Sequence, residues 1–598
     1  MKKEVLIKII DAASGRKPAD LVIRNGIAAD VFTGRFVKKD LVITEGFIAA
    51  VVEPGSGEGI EVFNAEGLYA LPGFIDSHIH IESSFLSPCE LGRLLLPFGT
   101  CTIIADPHEI VNVCGIVGLD YMLAAAADTA MDIKFMLPSC VPATPFEHSG
   151  AVLKSKDMAI PIKNKNILGL GEFMDYNAII NNDSAALDKI LLAIKNNKII
   201  DGHSPGLSDR SLSAYVAASV HTDHECSTVE EMEQRLSMGM YVMLRQGSAC
   251  HDLRNLIPAV TAENSRRCLL CSDDYQPRTI FEQGHLNNDL RICVEQGIPP
   301  MTALRMATLN AAECFRLSDR GALAPGLRAD IVLTEDIRDF KVKRVYTRGK
   351  LAADNGVYIE PKAENRQRHR HHIDGGTDGG ADDRTVRSSL HVKGFSVKKL
   401  SLPLRSDEVW VIDVKKGSVV TGKGKAHPAR NSSGLFVFDS AMDIAKIAVV
   451  ERHQGTGNVG LGLIRGYGIR SGALALSVVH DSHNIIVVGV NDADMAAAVK
   501  RLIAIGGGVV ILRDGKVLEE MPLPLGGLMS DQSGEWVDKK IKLLEKIAVG
   551  ELGVSKDIDP LLTLCFMALP VIPELKITDM GLFDVGAFRF IPIEVEEK

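Results

Sequence analysis

The sequence predicts an α/β fold built on a (β/α)8 barrel, with β-rich flanks and a C-terminal α+β region. Two observations carry this prediction. Between residues 71 and 315, short apolar runs typical of buried strands alternate with amphipathic segments typical of helices. Several of these runs end in side chains that bind metals, and the functional residues of such barrels lie at the carboxyl ends of the strands.

Six potential metal ligands recur at the spacing of barrel strands. His78 and His80 close the first run, and positions i and i+2 share one face of a strand, so both imidazoles should point the same way. A βα unit takes about 31 residues. The interval from His78 to Glu172 fits three units, and the intervals that follow, between Glu172, His203, His224 and Asp273, fit one unit, one short unit and two units. A single histidine or aspartate at a strand end is usually a hydrogen-bonded structural residue, but six in register favour a metal site. The ligands fall after strands 1, 4, 5, 6 and 8, in the order His78, His80, Glu172, His203, His224 and Asp273.

Other segments divide the chain into predicted domains. Strand-like runs punctuated by Gly and Asn in 1–70 and 316–361 predict β structure on both sides of the barrel at 71–315. The stretch 362–390 is rich in His, Gly and Asp, which is typical of a flexible linker. Residues 391–598 mix strand-like runs with a helix near 492–504 and predict an α+β domain. Within the barrel, helices are expected at 178–198 and at 228–238, the second with Ser227 or Thr228 as N-cap.

Longer motifs resemble the amidohydrolase superfamily and, within it, the adenine deaminases. They include the stretches 73–84, 105–115 with Asp-Pro-His-Glu, 201–206, 479–484 with His-Asp-Ser-His, and 522–530. The resemblance covers nearly the whole chain except 362–390. It implies a distorted TIM-like barrel, a small β-sandwich built from both flanks, and a C-terminal domain of the adenine deaminase type. It also implies hydrolysis of adenine to hypoxanthine and ammonia, a step of purine salvage.

The ligand set and the resemblance together lead to a hypothesis for the site. One metal would be held by His78, His80, Glu172 and Asp273, and the other by Glu172, His203 and His224, with Glu172 and a hydroxide as bridges. Many binuclear relatives use a carboxylated lysine as the bridge, whereas adenine deaminases similarly use a glutamate. The resemblance favours Mn(II) or Fe(II), and the donor types also allow Zn(II).

Roles for the remaining polar residues follow from the chemistry of attack at C6 of adenine. Asp273 would take a proton from the attacking hydroxide and pass it to the departing ammonia. Glu82 or Glu225 would protonate ring nitrogen N1; Glu82 would share the face of His80 if the strand continued. The residues expected to line the substrate pocket are Asp106, His108, Glu109, Asp274, His480 and His483.

Composition limits the alternatives. A net charge of −9 and 5% aromatic residues argue against nucleic acid or an anionic membrane as partner. We see no signal peptide and no apolar run of about 18 residues. The 11 scattered cysteines fit reduced thiols, so a cytoplasmic location is expected. A small-molecule substrate and a homo-oligomer are also expected. Two other functions stay open: hydrolysis of a cyclic amide, and a metal-free, non-catalytic scaffold.

Overall fold

The computed structural model describes residues 1–360, 383–387 and 389–595. Strands from both flanks of the barrel form one nine-stranded sheet, ordered β18-β17-β16-β15-β5-β1-β2-β3, with β4 beside β1. The two flanks join where β15 pairs antiparallel with β5, Ile331 opposite Pro72. A helix at Lys3–Ala13, which the sequence analysis did not predict, buries Ile9 and Ala12 against this sheet. The strands are β1 Ala19–Asp30, β2 Arg35–Thr44, β3 Phe47–Val52, β4 Gly59–Asn64, β5 Tyr69–Pro72, β15 Ile331–Thr334, β16 Val342–Thr347, β17 Lys350–Asp354 and β18 Val357–Tyr358.

The predicted barrel lies between these flanks. Six parallel strands follow the order β10-β9-β8-β7-β6-β14, and three more follow β11-β12-β13. Between β10 and β11 the regular ladder is interrupted, although the backbone N–H of His221 donates to Ile200 O at 2.9 Å and the hydroxyl of Thr222 donates to Asp201, so the barrel is distorted. Its strands are β6 Phe74–His80, β7 Thr100–Ala105, β8 Asp132–Leu137, β9 Ile167–Phe173, β10 Ile199–Gly202, β11 Thr222–Asp223, β12 Tyr241–Arg245, β13 Cys268–Cys271 and β14 Asp273–Asp274.

One of the two predicted barrel helices differs from expectation. The segment 178–198 is split into Tyr176–Ile180 and Ser184–Lys195, because Asn182 adopts a left-handed φ of 58° and Asp183 then caps the second helix. The helix Val229–Ser237 begins at a capping box in which Thr228 is the N-cap, as predicted. The other helices of this region are Pro88–Leu95, His108–Cys114, Ile116–Ala125, Ser155–Met158, Asp209–Ala217, Leu253–Leu256, Pro277–Gln283, Leu286–Glu295, Pro300–Met306 and Leu309–Cys314.

The C-terminal region is built on an eight-stranded sheet, ordered β20-β19-β22-β21-β24-β23-β25-β26, with a small sheet β27-β28-β29 beside it. The helix expected near 492–504 is present as Asp492–Ala504. Most of the predicted linker falls outside the described residues, but its end forms the short helix Asp383–Arg387. The remaining elements are β19 Val409–Val414, β20 Thr421–Ala426, β21 Ile444–Val450, β22 Val459–Arg465, β23 Ala473–Leu476, β24 Ile485–Gly489, β25 Gly508–Arg513, β26 Lys516–Pro522, β27 Leu575–Thr578, β28 Gly581–Asp584, β29 Arg589–Phe590, and helices Gly534–Gly550 and Pro560–Cys565.

The C-terminal region packs directly on the mouth of the barrel. Leu525 and Leu528 belong to the same apolar core as Ile110 of the barrel. The backbone N–H of Ser530 donates to the carbonyl of Phe85, just beyond β6, at 2.8 Å. The first barrel loop is therefore tied to the C-terminal region. Within the described residues, no helix is both long and apolar enough to cross a bilayer.

Candidate metal centre and active site

The structure brings the six predicted ligands together at the carboxyl end of the barrel. His78 and His80 end β6 on one face, and their Nε2 atoms lie 3.1 Å apart. The alternation of side chains along a strand accounts for this placement. The other four lie at or just after the ends of their strands, and all six are mostly buried: Glu172 in β9, His203 after β10, His224 after β11 and Asp273 in β14.

Glu172 stands between the two halves of this cluster. Its Oε1 lies 3.4 Å from Nε2 of His80, and its Oε2 lies 2.8 Å from Nδ1 of His203 and 3.3 Å from Nε2 of His224. Asp273 completes the first half, with Oδ1 3.1 Å from Nε2 of His80. Each oxygen of Glu172 thus faces a different set of imidazoles, which is the arrangement a bridging carboxylate needs.

The hydrogen bonds of the two histidines on β6 show that this cluster suits a cation. Nδ1 of His78 faces Oδ2 of Asp201 at 3.0 Å, and Nδ1 of His80 faces the carbonyl of Asp106 at 3.0 Å. Both acceptors require a proton on Nδ1, so in the neutral rings both Nε2 lone pairs point at each other. Such an outer carboxylate or carbonyl is the usual partner of a metal-binding histidine. The residues fit a divalent metal site.

The pKa shifts within the cluster also indicate a site for a cation. Burial alone would raise the pKa of Glu172, but His203 and His224 hold it well below its usual range. Burial would lower the pKa of His224, yet the Glu172 carboxylate raises it to about 10. The carboxylates therefore stay ionised in a buried place, where a divalent cation is the natural counter-charge.

Arg245, which the sequence analysis missed, ends β12 at the edge of the cluster. Its Nη1 donates to Oδ2 of Asp273 at 2.9 Å and also to Oε1 of Glu225, and its Nη2 donates to Asp252 at 2.9 Å. Burial would raise the pKa of Glu225, but Arg245 lowers it. Glu225 is thus an ionised partner of an arginine. The sequence does contain a signal for this residue, because Arg245 ends an apolar run in the same way as the predicted ligands do.

Glu82 occupies a different position from the one expected for a continuing strand. β6 ends at His80, and Glu82 opens a short 3-10 turn. Its Oε1 accepts the backbone N–H of Ile110 at 3.1 Å, and its Oε2 has no hydrogen-bond partner among the described residues. Burial and the neighbouring Glu109 raise the pKa of Glu82 to about 7. Of the two glutamates predicted as acids, Glu82 is the one able to hold a proton near neutral pH.

Three of the residues expected to line the pocket, Asp106, His108 and Asp274, make different contacts around the cluster. Oδ2 of Asp106 accepts the backbone N–H of Glu172 at 2.9 Å, and a side chain at Gly171 would overlap this oxygen. Asp106 therefore supports the backbone of Glu172 from behind. Nδ1 of His108 lies 3.3 Å from Oε1 of Glu172, and Asp274 accepts a hydrogen bond from Ser83.

The turn 479–484 of the C-terminal region reaches into this site. Nδ1 of His480 lies 2.7 Å from Oε1 of Glu109, and Oδ1 of Asp481 lies 3.8 Å from Nε2 of His108. His483 accepts the backbone N–H of Val479 on Nδ1 at 3.0 Å, which places its proton on Nε2. Asp481 belongs to the motif 479–484, but the sequence does not indicate its contact with His108, because His108 is hundreds of residues away in the chain.

Comparisons with known proteins agree with this fold and site. The profile of the amidohydrolase family matches residues 69–352, a range that includes the whole barrel. The profile of the adenine deaminase C-terminal domain matches residues 418–589. "Adenine deaminase 2" of Desulfotalea psychrophila is 55% identical over 99% of this chain and 100% of its own length. "Adenine deaminase" of Ligilactobacillus salivarius is 47% identical over 100% of both chains, and that of Nitratidesulfovibrio vulgaris (strain Hildenborough) is 46% identical over 99% and 100%. The chain belongs to the adenine deaminase family.

Proposed function

We propose that this chain hydrolyses adenine to hypoxanthine and ammonia, as an enzyme of purine salvage acting on the C–N bond of a cyclic amidine. The observation that carries the proposal is the convergence of two imidazole sets on the two oxygens of Glu172. The full-length similarity to proteins named adenine deaminase supports the choice of substrate.

The ligand set divides between two cations. His78, His80, Glu172 and Asp273 would hold one, and His203 and His224 would hold the other with Glu172 shared. Two divalent cations bound there would lower the pKa of water to near 7, so that hydroxide is available for hydrolysis. A set of imidazoles and carboxylates without thiolate suits Mn(II), Fe(II) and Zn(II) alike, and the family resemblance favours Mn(II) or Fe(II).

The side chains would divide the proton transfers between them. Asp273 has Oδ1 toward the histidines and Oδ2 held by Arg245, so it would accept the proton of the attacking hydroxide at a fixed position and deliver it to the departing ammonia. Glu82 would protonate N1, because its carboxyl retains a proton near neutral pH, whereas Glu225 is paired with Arg245.

The remaining polar groups would recognise the purine. His108, Glu109 and Asp274 would line the barrel side of the pocket, and His480 and His483 would line the opposite side from the C-terminal turn; the contacts of His108 with Glu172 and of His480 with Glu109 support this assignment. Asp106 would act indirectly, since both its contact with the N–H of Glu172 and its burial place it behind the bridge.

The test is ammonia release and the ultraviolet change of adenine, using chelator-treated protein reloaded with Mn(II). We expect activity that requires about two cations per chain, and a loss of about 100-fold to 10,000-fold in Asp273→Asn. Asp557→Asn, at an exposed ion pair with Lys416, is the matched control and should keep full activity. Metal-loaded, folded protein inert on adenine would redirect the search to cyclic amides, and protein that takes up no metal would favour a scaffold.

Three further expectations are kept as proposals. The domain boundaries are 1–70 with 316–361, 71–315 and 391–598. The odd number of scattered cysteines supports a cytoplasmic location. A homo-oligomer is expected, and light scattering of the metal-loaded protein would test it.

A further inference from the structure

Arg452 is a buried arginine without a counter-charge. It follows β21, and its side chain is 0% exposed. Across the described part of the chain, neither Nη1 nor Nη2 has a hydrogen-bond partner, and no carboxylate forms an ion pair with the guanidinium. Burial lowers the pKa of Arg452 only to about 10, so the group stays charged at neutral pH. A buried, unpaired charge is costly, and stability alone does not explain it.

The Nε donor and the backbone N–H of Arg452 both bind the turn that enters the active site, while its carbonyl accepts the backbone N–H of His391 at 2.6 Å. Its Nε donates to the carbonyl of His483, and its backbone N–H donates to Oδ1 of Asn484 at 3.1 Å. The neighbouring His453 faces the carbonyl of Ser482 through Nε2 at 2.6 Å. Two consecutive side chains thus hold two consecutive carbonyls of the turn.

This turn needs such support. His483 adopts a left-handed φ of 55°, a conformation that is unfavourable for a residue with a side chain. Its Nδ1 also accepts the backbone N–H of Val479, a hydrogen bond between the two ends of the turn. The same turn carries His480, which meets Glu109 at 2.7 Å, and Asp481, which faces His108. A small displacement of the turn would therefore move both groups out of the site.

The loop of the motif 522–530 makes room for the arginine. Gly527 has a φ of 70°, and a side chain there would come within 2.2 Å of Nη1 of Arg452. The carbonyl of Gly527 accepts the hydroxyl of Ser477 at 2.6 Å, which holds the backbone in this position. Gly527 thus allows the guanidinium to lie against bare backbone.

We propose that Arg452 is a positioning residue, which fixes the turn 479–484 so that His480 and Asp481 meet the barrel side of the active site. The inference rests on the proposed function of this site. Arg452 would then contribute to the activity of the enzyme and not to its stability. Replacing the guanidinium by an apolar side chain should then separate the two properties.

The experiment compares Arg452→Met with wild type as full-length, Mn(II)-loaded protein. We expect a thermal midpoint equal to or above that of wild type, because an uncompensated buried charge is removed. We expect unchanged metal content and a fall in kcat/KM for adenine of about 10-fold to 100-fold, the usual effect of losing a group that orients a catalytic side chain. Arg452→Lys, which retains one donor for the carbonyl of His483, should recover part of the activity.

Arg328→Met is the matched control. Arg328 is also buried, but it has carboxylate partners in Asp132 and Asp330, away from the site. Its loss should lower the midpoint and leave kcat/KM per folded, metal-loaded chain unchanged.

Each possible result decides the inference. An Arg452→Met protein that is insoluble, or that melts as early as Arg328→Met with full activity per folded chain, would overturn it. Wild-type protein inert on adenine would refute the proposed function instead. A crystal structure of Arg452→Met would then still decide, since the inference requires the contact between His480 and Glu109 to be lost.

Discussion

Asp223 and Arg235 form a buried ion pair directly behind the second half of the metal centre, and breaking it gives a quantitative test. Both side chains are 0% exposed, and Nε of Arg235 donates to Oδ2 of Asp223 at 3.1 Å. Arg235 also donates to the carbonyl of Ser204 at 2.5 Å, and Ser204 donates its hydroxyl to Asp223. Asp223→Asn keeps the shape but turns one acceptor into a donor that faces the guanidinium.

The expected cost follows from this geometry. Removing one partner of a buried pair leaves an uncompensated charge and costs about 3–5 kcal/mol. If the barrel unfolds as a unit of the usual size, this corresponds to a fall of about 6–20 °C in the thermal midpoint. Because Ser204 follows His203 and Asp223 precedes His224, the same change should loosen one half of the ligand set. We expect bound metal to fall from about two ions per chain toward one.

Calorimetry and metal analysis of Asp223→Asn, side by side with wild type, provide the measurement. The double variant Asp223→Leu with Arg235→Met removes both charges and should recover most of the lost stability, since a buried pair is often replaced by apolar side chains without loss. A single variant that melts within about 2 °C of wild type and retains full metal would refute the assignment of this pair.

Three other predictions concern Glu172, His480 and Lys576. Glu172→Gln removes the anionic bridge and should release metal and lower kcat by at least about 1,000-fold; metal analysis showing two retained ions would contradict it. His480→Asn breaks the 2.7 Å contact with Glu109 and should lower kcat/KM by about 10-fold to 100-fold at unchanged metal content, whereas an unaltered value would place the turn outside the reaction. Burial lowers the pKa of Lys576 from 10.5 to about 7, so the unfolded chain binds the extra proton between these values and the folded state gains stability as the pH rises. The free energy of unfolding of wild type minus that of Lys576→Met, measured in denaturant, should therefore be larger at pH 10.5 than at pH 7 by up to about 5 kcal/mol. A difference between the two proteins that does not change with pH would disprove the shift.

The fold and the strand positions of the ligands were predictable from the sequence because both depend on local patterns. An apolar run that ends in a polar side chain marks a strand and its carboxyl end, and the interval between runs counts the βα units. His78, His80, Glu172, His203, His224 and Asp273 could each be found in this way. The helix break at 181–183 was less predictable, since it depends on one left-handed residue and one cap.

The roles of the acidic residues required the tertiary structure. Glu82 and Glu225 both lie within two residues of a predicted ligand in the chain, but burial beside Glu109 raises the pKa of Glu82 to about 7, whereas Arg245 lowers the pKa of Glu225. The sign of each pKa shift depends on neighbours from other strands. No local pattern contains that information.

The sequence by itself determined the barrel and the order of the six candidate ligands along its strands, because strand periodicity and unit length are properties of short segments. Only the tertiary structure decided what surrounds them. His480 and Asp481 enter the site from the C-terminal region, and Arg452 was found only through its buried, unpaired guanidinium. The physical reason is that charge and positioning arise from contacts between residues far apart in the chain.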